Sequence, residues 1–516
     1  MLHSALRRLA RPCLLAVLAA GAIVAPARAE DKVIDVALGA PVLTLDPGVA
    51  AGTQAQTVRV QVMETLVQLN SETADIEPLL ATRWEVADDN LTWTFHLRDG
   101  VTFHDGSPLT AADVVASISR VINPEAGMGR ANDLREIVKI TAVDDKTVRI
   151  VTAKPSGTLL RALALDSASI LSADSIKKFG KDVGWHPVGT GPFKYKSHVA
   201  EQSVALVRND NYWGKKPEAD GINFVTVPEA GTRLTMLEAG EADIIVDVPG
   251  FEVERLRGTK GIGLIAKPNT RLGHLGINVS KPPFDDVRVR RALNFAIDRK
   301  AIVAGVLRGL GVPADSIIAS TVAGYAPQNL YSYDPEKAKK LLAEAGYPNG
   351  FTTTIWTPQG RYYMDRETAI AVQAQLAAVG IKANVEVKDW STYLSALREP
   401  KATNKSQLYW LGWESGTADI GIILDTVFDS TRMPPNGWNT MFYANEKVDD
   451  LRARIAREVD KDKRMQMAAE IQSVIMQDAP WAPLYSFVQV TAYDSTLNGI
   501  EYLPTDIYRL KNVTFQ

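Results

Sequence analysis

Apolar and polar positions along this chain alternate between two periods. Between residues 91 and 97, Leu91, Trp93, Phe95 and Leu97 are separated by Thr92, Thr94 and His96, and that period of two predicts a half-buried strand. Asp99-Gly100 is a hairpin signal, with Val101 and Phe103 predicting the returning strand. After a second turn at Asp105-Gly106, Thr110 precedes Asp113 by three residues. Val114, Val115, Ile118 and Val121 follow at helical spacing, predicting a capped helix. Residues 147–151 predict a further strand. Beyond residue 330, Asp334 is a cap, Pro335 a first helical residue and Gly346 a stop. Residues 351–356 are β-rich, and a helix from about 365 to 379 ends at Gly380. Ile381, Ala383, Val385 and Val387 then alternate with Lys382, Asn384, Glu386 and Lys388. Strand, helix and strand in that order imply parallel neighbours joined by a right-handed crossover. The pattern predicts α/β lobes rather than a β-sandwich or a helical bundle.

The first residues follow neither period. Arg7, Arg8 and Arg11 precede an apolar run over 13–24, and Ala27-Arg28-Ala29 supplies small residues around a cut. That order is a secretory signal peptide, since the apolar run falls short of the roughly 20 residues a spanning helix needs. Cleavage is expected after Ala29 and a periplasmic location follows. The single cysteine, Cys13, lies in this segment behind Arg11-Pro12 and is not placed as a lipid anchor. Removing 29 of the 516 residues leaves 487 without a cysteine, hence without disulfide or thiol nucleophile. A chain of that length buries a core without cross-links and implies two to three domains. Losing four arginines and no acid takes the net charge from −3 to −7, which argues against nucleic acid or anionic lipid as partner.

Catalytic signatures are missing. The sequence has no G-x-S-x-G elbow, no H-E-x-x-H pair and no G-x-x-x-x-G-K-[ST] loop. The runs 261–263 and 309–311 lack a full strand–loop–helix context and read as turns. His96 and His104 face each other across the proposed hairpin, but a metal centre needs more ligands at fitting spacing. No cofactor, metal or catalytic residue is expected. The aromatics say more: Trp410, Trp413 and Trp438 lie in YWLGWESGTAD and PPNGWNT, where tryptophan beside glycine and small polar residues suits a ligand-cavity wall. Trp410, flanked by leucines, reads as core. Trp413 fits core or cavity, and Trp438 an exposed loop.

Val188-Gly189-Thr190-Gly191-Pro192-Phe193-Lys194 resembles the G-T-G-P-[FY] signature of family 5 extracellular solute-binding proteins of bacterial ABC importers. TFHLRDGVTFHDGSPLTAADV, Lys281-Pro282-Pro283-Phe284-Asp285 with VRVRRALNFAIDRKAIV, DPEKAKKLLAEAGYPNGF and Ala479-Pro480-Trp481-Ala482-Pro483-Leu484 resemble the family's further blocks in order. GWESGTAD and NEKVDD look most similar to its glutathione-binding branch.

The resemblance implies a type II periplasmic-binding-protein-like α/β fold, two lobes on a hinge of two crossing strands, with an inserted third domain. Its divisions are 30–64, 190–276 and 489–516 for lobe I, 65–189 for the smaller domain and 277–488 for lobe III. It implies a monomeric receptor for a dipeptide, oligopeptide or glutathione, partnered by ABC importer permease subunits in the inner membrane, with no nucleic acid. Dipeptide-binding relatives hold the ligand's amino terminus with an aspartate after the G-W pair and its carboxylate with an arginine before the I-K strand. Asp419 or Glu414, and Arg366 or Arg361, are the matching positions. Trp413, Ser415, Thr417, Trp438, Gly52 and Thr53 complete the expected ligand-binding set. A buried zwitterion needs a fixed anion and a fixed cation, and the arginine fork suits a carboxylate. Either arginine alone also fits a solvated helix face, as does the cluster Arg288, Arg290 and Arg291 behind the cap Asp286, for which importer docking is a second reading. Competing functions are another cargo (nickel chelate, haem, opine or sugar), a secreted peptide hydrolase, and a periplasmic chaperone.

Overall fold

The computed structural model describes residues 32–49 and 52–516; the signal segment and the cut after Ala29 lie outside them. Two long antiparallel strands, Ile262–Ile277 and Trp481–Asp494, run through the middle of an eleven-stranded mixed sheet. On one side follow Leu408–Glu414, Thr352–Thr357 and Lys382–Val387. On the other follow Ile244–Ile245, Val33–Leu38, Gly221–Thr226, Ser203–Arg208 and Phe193–Val199. The central pairing breaks register between Pro268 and Leu272, which leaves Asn269, Thr270 and Arg271 out of the ladder at the midpoint. Leu275, Ile277, Ala482 and Leu484 beyond the break pack in one core. Val490 and Ala492 before it pack in another, with Leu234 and Leu256. An irregular strand pair between two separate cores is a place where bending disturbs little packing.

Thr352–Thr357 pairs parallel to Lys382–Val387 across the helix Asp365–Ala377, as the alternating pattern predicts. Tyr409 and Leu411 face one core while Leu408 and Trp410 face the other, so this part of the sheet is covered on both faces. Asp334 accepts from the Lys337 amide, with Pro335 in first position, and Gly346 and Gly380 take left-handed φ of +92° and +91°, where glycine pays no Cβ penalty.

A separate four-stranded antiparallel sheet, ordered Ala81–Val86, Thr92–Leu97, Thr147–Thr152 and Ile137–Asp144, packs under the helix Ala111–Ile122. That helix starts at the Thr110–Asp113 capping box. The predicted return strand at Val101 and Phe103 does not form. Both side chains are buried, but the segment makes only the isolated bridge Thr102–Pro108, and Thr92–Leu97 finds its neighbours in Ala81–Val86 and Thr147–Thr152. Two longer partners complete its ladder where a short hairpin would leave one edge open.

The arginine cluster after Asp286 is also not one outer face. Arg290 is buried, donating to the carbonyls of Phe284, Asp285 and Asp478, and so ties the start of its helix to the end of the helix Lys461–Asp478. Arg288 stays outside on Asp286 and the Glu344 carbonyl. Among the described residues no helix is long and apolar enough to cross a membrane.

Candidate functional site

A cleft runs beside the central strand pair. Its main cavity, about 380 Å³, is walled by Gly52, Thr53 and Gln56, by Arg130, Asp133 and Asp166, by Glu414 and Thr417, and by Thr505, Ile507 and Arg509. Through Thr53 and Glu414 it joins a polar cavity of about 230 Å³ that includes Asp247, Arg271, Gln489 and Asp506. Through Asp133 and Thr417 it joins a third of about 280 Å³ that reaches Arg161 and Arg452.

Each wall is held by contacts within the protein. The helix Thr53–Val62 opens on the main cavity at Gly52, with no side-chain cap and no acid in its first turn. Gln61 at its far end bridges to the strand Ile507–Arg509, its amide donating to the Tyr508 carbonyl at 2.7 Å and its oxygen accepting from the Leu510 amide at 3.1 Å. The second wall is an ion-pair network: Asp166 receives Arg59 at 2.9 Å and Arg130 at 2.5 Å, and Arg130 also holds Asp133. The third continues Leu408–Glu414, where Ser415 and Ala418 close a tight turn through the Ala418 amide.

At the polar end Glu414 is paired with Arg271 from the register break. Asp506 sits beside them and accepts from Tyr502 at 2.6 Å and from Asn269 at 3.2 Å. Burial pushes the Asp506 carboxyl up to about 6, with the nearby Glu414 charge adding to it, against the hydrogen bonds. Glu414 and Asp506 thus share one guanidinium, Arg271, while Asp247 on the same cavity lies near Arg233.

The residues expected from the sequence fall into three groups. Gly52, Thr53, Glu414 and Thr417 line the main cavity together. Ser415 is buried in the turn behind it. Asp419 lies deeper and is fully buried: Arg464 grips both carboxylate oxygens at 2.7 and 2.8 Å, Arg161 approaches to 3.6 Å, and the Gly421 amide donates at 2.7 Å. Its charge is consumed inside the protein. Trp413 and Trp438 stack edge to face at 5.9 Å, with Arg398 over Trp438. Arg361 lies over the rings of Tyr362 and Trp390, and Arg366 is exposed at the start of its helix. Neither arginine and neither tryptophan lines the three joined cavities.

Arg130, Asp133, Asp166, Asp506 and Arg509 had no signal in the sequence. They come from short 3-10 turns near 130 and 166 and from the segment 506–509 more than three hundred residues on, and only the tertiary fold assembles them. Among the described residues no group of three or more histidines, cysteines or carboxylates is arranged to hold a metal ion. His96 lies near Glu85, and His104 is bonded to the Gly191 carbonyl, where burial lowers its pKa to about 4.

A family model described as bacterial extracellular solute-binding proteins, family 5 Middle, matches residues 75–435. The glutathione-binding protein GsiB of Escherichia coli O1:K1 / APEC is 33% identical over 513 residues, 99% of this chain and 100% of the relative. Among solved structures, HbpA2 from Haemophilus parasuis superposes with a TM-score of 0.84 at 29% identity, covering 94% of this chain and 100% of that one. A dipeptide binding protein from Pseudoalteromonas sp. SM9913 in complex with Met-Leu gives 0.70 at 26% identity, covering 94% and 100%.

Proposed function

The chain belongs to the bacterial extracellular solute-binding proteins of family 5, and from that premise we propose that it captures a short peptide or peptide-like ligand and delivers it to an ABC importer. Its fold is that of type II periplasmic binding proteins. The reading places the mature protein in the periplasm, with the permease subunits as partner and capture without covalent change. The observation that carries it is a cleft whose three polar walls, drawn from residues 52–60, 130–166 and 414–422, meet the strand Ile507–Arg509 beside an irregular pair of crossing strands. Bending at 269–271 brings such walls together and withdraws the guest from water. The division into lobe I, inserted domain and lobe III given above names the bodies that move.

Identification of the ligand that copurifies tests this directly. Mass spectrometry is expected to find an intact short peptide or glutathione, and isothermal titration with glutathione and Met-Leu is expected to show one site per chain. Cleaved peptide, or a metal chelate in its place, would sink the reading.

In this proposal Glu414 and Asp506, with Asp247, receive the ligand's ammonium, and Thr53 and Thr417 bind its backbone. Arg361, Arg366, Trp413 and Trp438 remain outer residues that closure can recruit. A pH dependence follows. Asp506, faced by Glu414, Arg271, Tyr502 and Asn269, is largely neutral at pH 5 and charged at pH 7.5. Affinity for Met-Leu is therefore expected to rise several-fold as pH rises through about 6, because attraction to the ammonium grows with the charge. Calorimetry at the two pH values checks this, and Asp506→Asn is expected to flatten the profile. Stability runs the other way. The folded pKa lies above the unfolded 3.8, so the contribution of this group is complete below 3.8 and is lost as pH rises through 6.

A further inference from the structure

The cations around the cleft are not equally committed. Arg59 and Arg130 are held by Asp166 and Asp133, Arg271 by Glu414, and Arg161 shares Asp419 with Arg464. Arg509 lines the main cavity and makes no ion pair among the described residues. Its single hydrogen bond runs from Nη1 to the Leu69 carbonyl at 3.0 Å, although a guanidinium carries five N–H donors. Glu501 lies across the strand pair, but one of its oxygens is occupied by Ser71 and it stays beyond ion-pair distance of Arg509. Burial lowers the Arg509 pKa, and the charges of Glu501, Glu77 and Glu64 offset this in part. Arg509 is half-buried on the cavity wall, and a cation there without a close counter-ion has free N–H donors that a ligand anion would engage.

The surroundings agree with an anionic guest. The Gln61 bridge fixes the backbone on both sides of Arg509, at Tyr508 and at Leu510, so the guanidinium stands on a rigid strand. The open end of the helix Thr53–Val62 reaches the same cavity with neither a side-chain cap nor an acid, and its free amides and dipole add to the positive potential. Tyr508 lines the acidic cavity and Arg509 the main one, so two adjacent residues of one strand face the two ends of the cleft.

We propose that Arg509 is a specificity-determining residue that seats a carboxylate of the cargo, so that the receptor selects peptide-like ligands bearing an acid group on this wall as well as an ammonium at the Glu414 end. The assignment rests on the peptide reading above and names a cation on a different wall from Arg361 and Arg366.

Amide analogues of the ligand test it. Glutathione, its two monoamides, Met-Leu and Met-Leu amide would be titrated into the mature wild-type protein and into Arg509→Gln and Arg509→Lys. For the wild type, amidation of one particular carboxylate is expected to weaken binding at least tenfold. In Arg509→Gln the free acid is expected to bind at least tenfold more weakly than in wild type, while the analogue amidated at that carboxylate binds equally to both proteins. Arg509→Lys is expected to restore part of the preference for the acid. Thermal unfolding of each variant separates lost recognition from lost folding. A free acid that binds Arg509→Gln as tightly as wild type, or an acid-over-amide preference that persists undiminished there, overturns the assignment and leaves the peptide reading standing. A wild type that binds none of the five probes overturns the peptide reading and the assignment with it.

Discussion

Replacing Asp419 with alanine is expected to lower the unfolding free energy by about 3–5 kcal/mol, the range for removing one partner of a buried ion pair. The carboxylate is fully buried and serves two cations, Arg464 in bidentate contact and Arg161 at 3.6 Å. Arg161 already has an Nη1 without a partner, so the loss of Asp419 would leave two guanidinium groups inside the protein with no close counter-ion. The backbone depends on it as well, because Asp419 caps the turn Ile420–Ile423 and bridges to Ala323. Urea midpoints at pH 7 would measure the loss, with Asp419→Asn expected to fall between wild type and alanine. The pH dependence has a definite sign. Burial raises the Asp419 pKa, but the attraction of Arg464 and Arg161 outweighs it and the net shift is downward from 3.8. Its contribution is therefore complete above 3.8 and is lost only as pH falls through the depressed folded value. The gap between wild type and Asp419→Ala is expected to stay constant from neutral pH down to about 4 and to close in stronger acid. An unchanged midpoint together with abolished peptide affinity would instead make Asp419 a ligand anchor.

The contrast between Asp419 and Glu414 shows how far one sequence could be read. Both are acids after the G-W pair, five residues apart, and the local pattern cannot separate them. The difference comes from residues far along the chain: Arg464 and Arg161 draw Asp419 inward, while Arg271 holds Glu414 at the cavity. Regular elements were far more legible. The helix Ala111–Ile122 starts where Thr110 and Asp113 place it, and the parallel pair at 352–357 and 382–387 follows from alternation and from Gly346 and Gly380. These rest on neighbours within a few residues. The return strand at Val101 failed because its partner choice was set by Thr147–Thr152, some fifty residues away.

The G-T-G-P signature shows the same limit from the other side. It identified the family, yet the reason for its residues appears only in three dimensions. Gly191 carries no positive φ, but a Cβ there would stand 2.5 Å from the Gln61 carbonyl oxygen and 2.6 Å from the Val62 carbonyl carbon. The glycine is required because the chain packs directly on the end of the helix Thr53–Val62, the helix that presents Gly52 and Thr53 to the cleft. A motif remote from the ligand thus holds one wall of the site.

Thr190 within that motif leads to the second large expected effect. Its hydroxyl donates to the Glu64 carboxylate at 2.8 Å, as do the Tyr212 hydroxyl at 2.7 Å and the Trp213 indole N–H at 2.8 Å. Glu64 is buried directly after the same helix, and its own carbonyl accepts from Ile170. Glu64 therefore joins four segments, its carboxylate holding those near 190 and 212 and its backbone carbonyl the one at 170. Glu64→Ala is expected to destabilise the protein by about 3–5 kcal/mol, since each buried donor left without an acceptor costs about 1–3 kcal/mol and neighbouring losses do not add fully. Glu64→Gln keeps one acceptor oxygen and is expected to cost less. Burial outweighs the three hydrogen bonds and raises the Glu64 pKa above 4.5, so its stabilising contribution is complete below 4.5 and declines as pH rises through the raised value. The advantage of wild type over Glu64→Gln is accordingly expected to narrow from pH 4 towards neutrality, which urea unfolding of the two proteins across that range would measure. A Glu64→Ala protein within 1 kcal/mol of wild type would mean that Thr190, Tyr212 and Trp213 find other acceptors, and that the signature holds the helix by glycine packing alone.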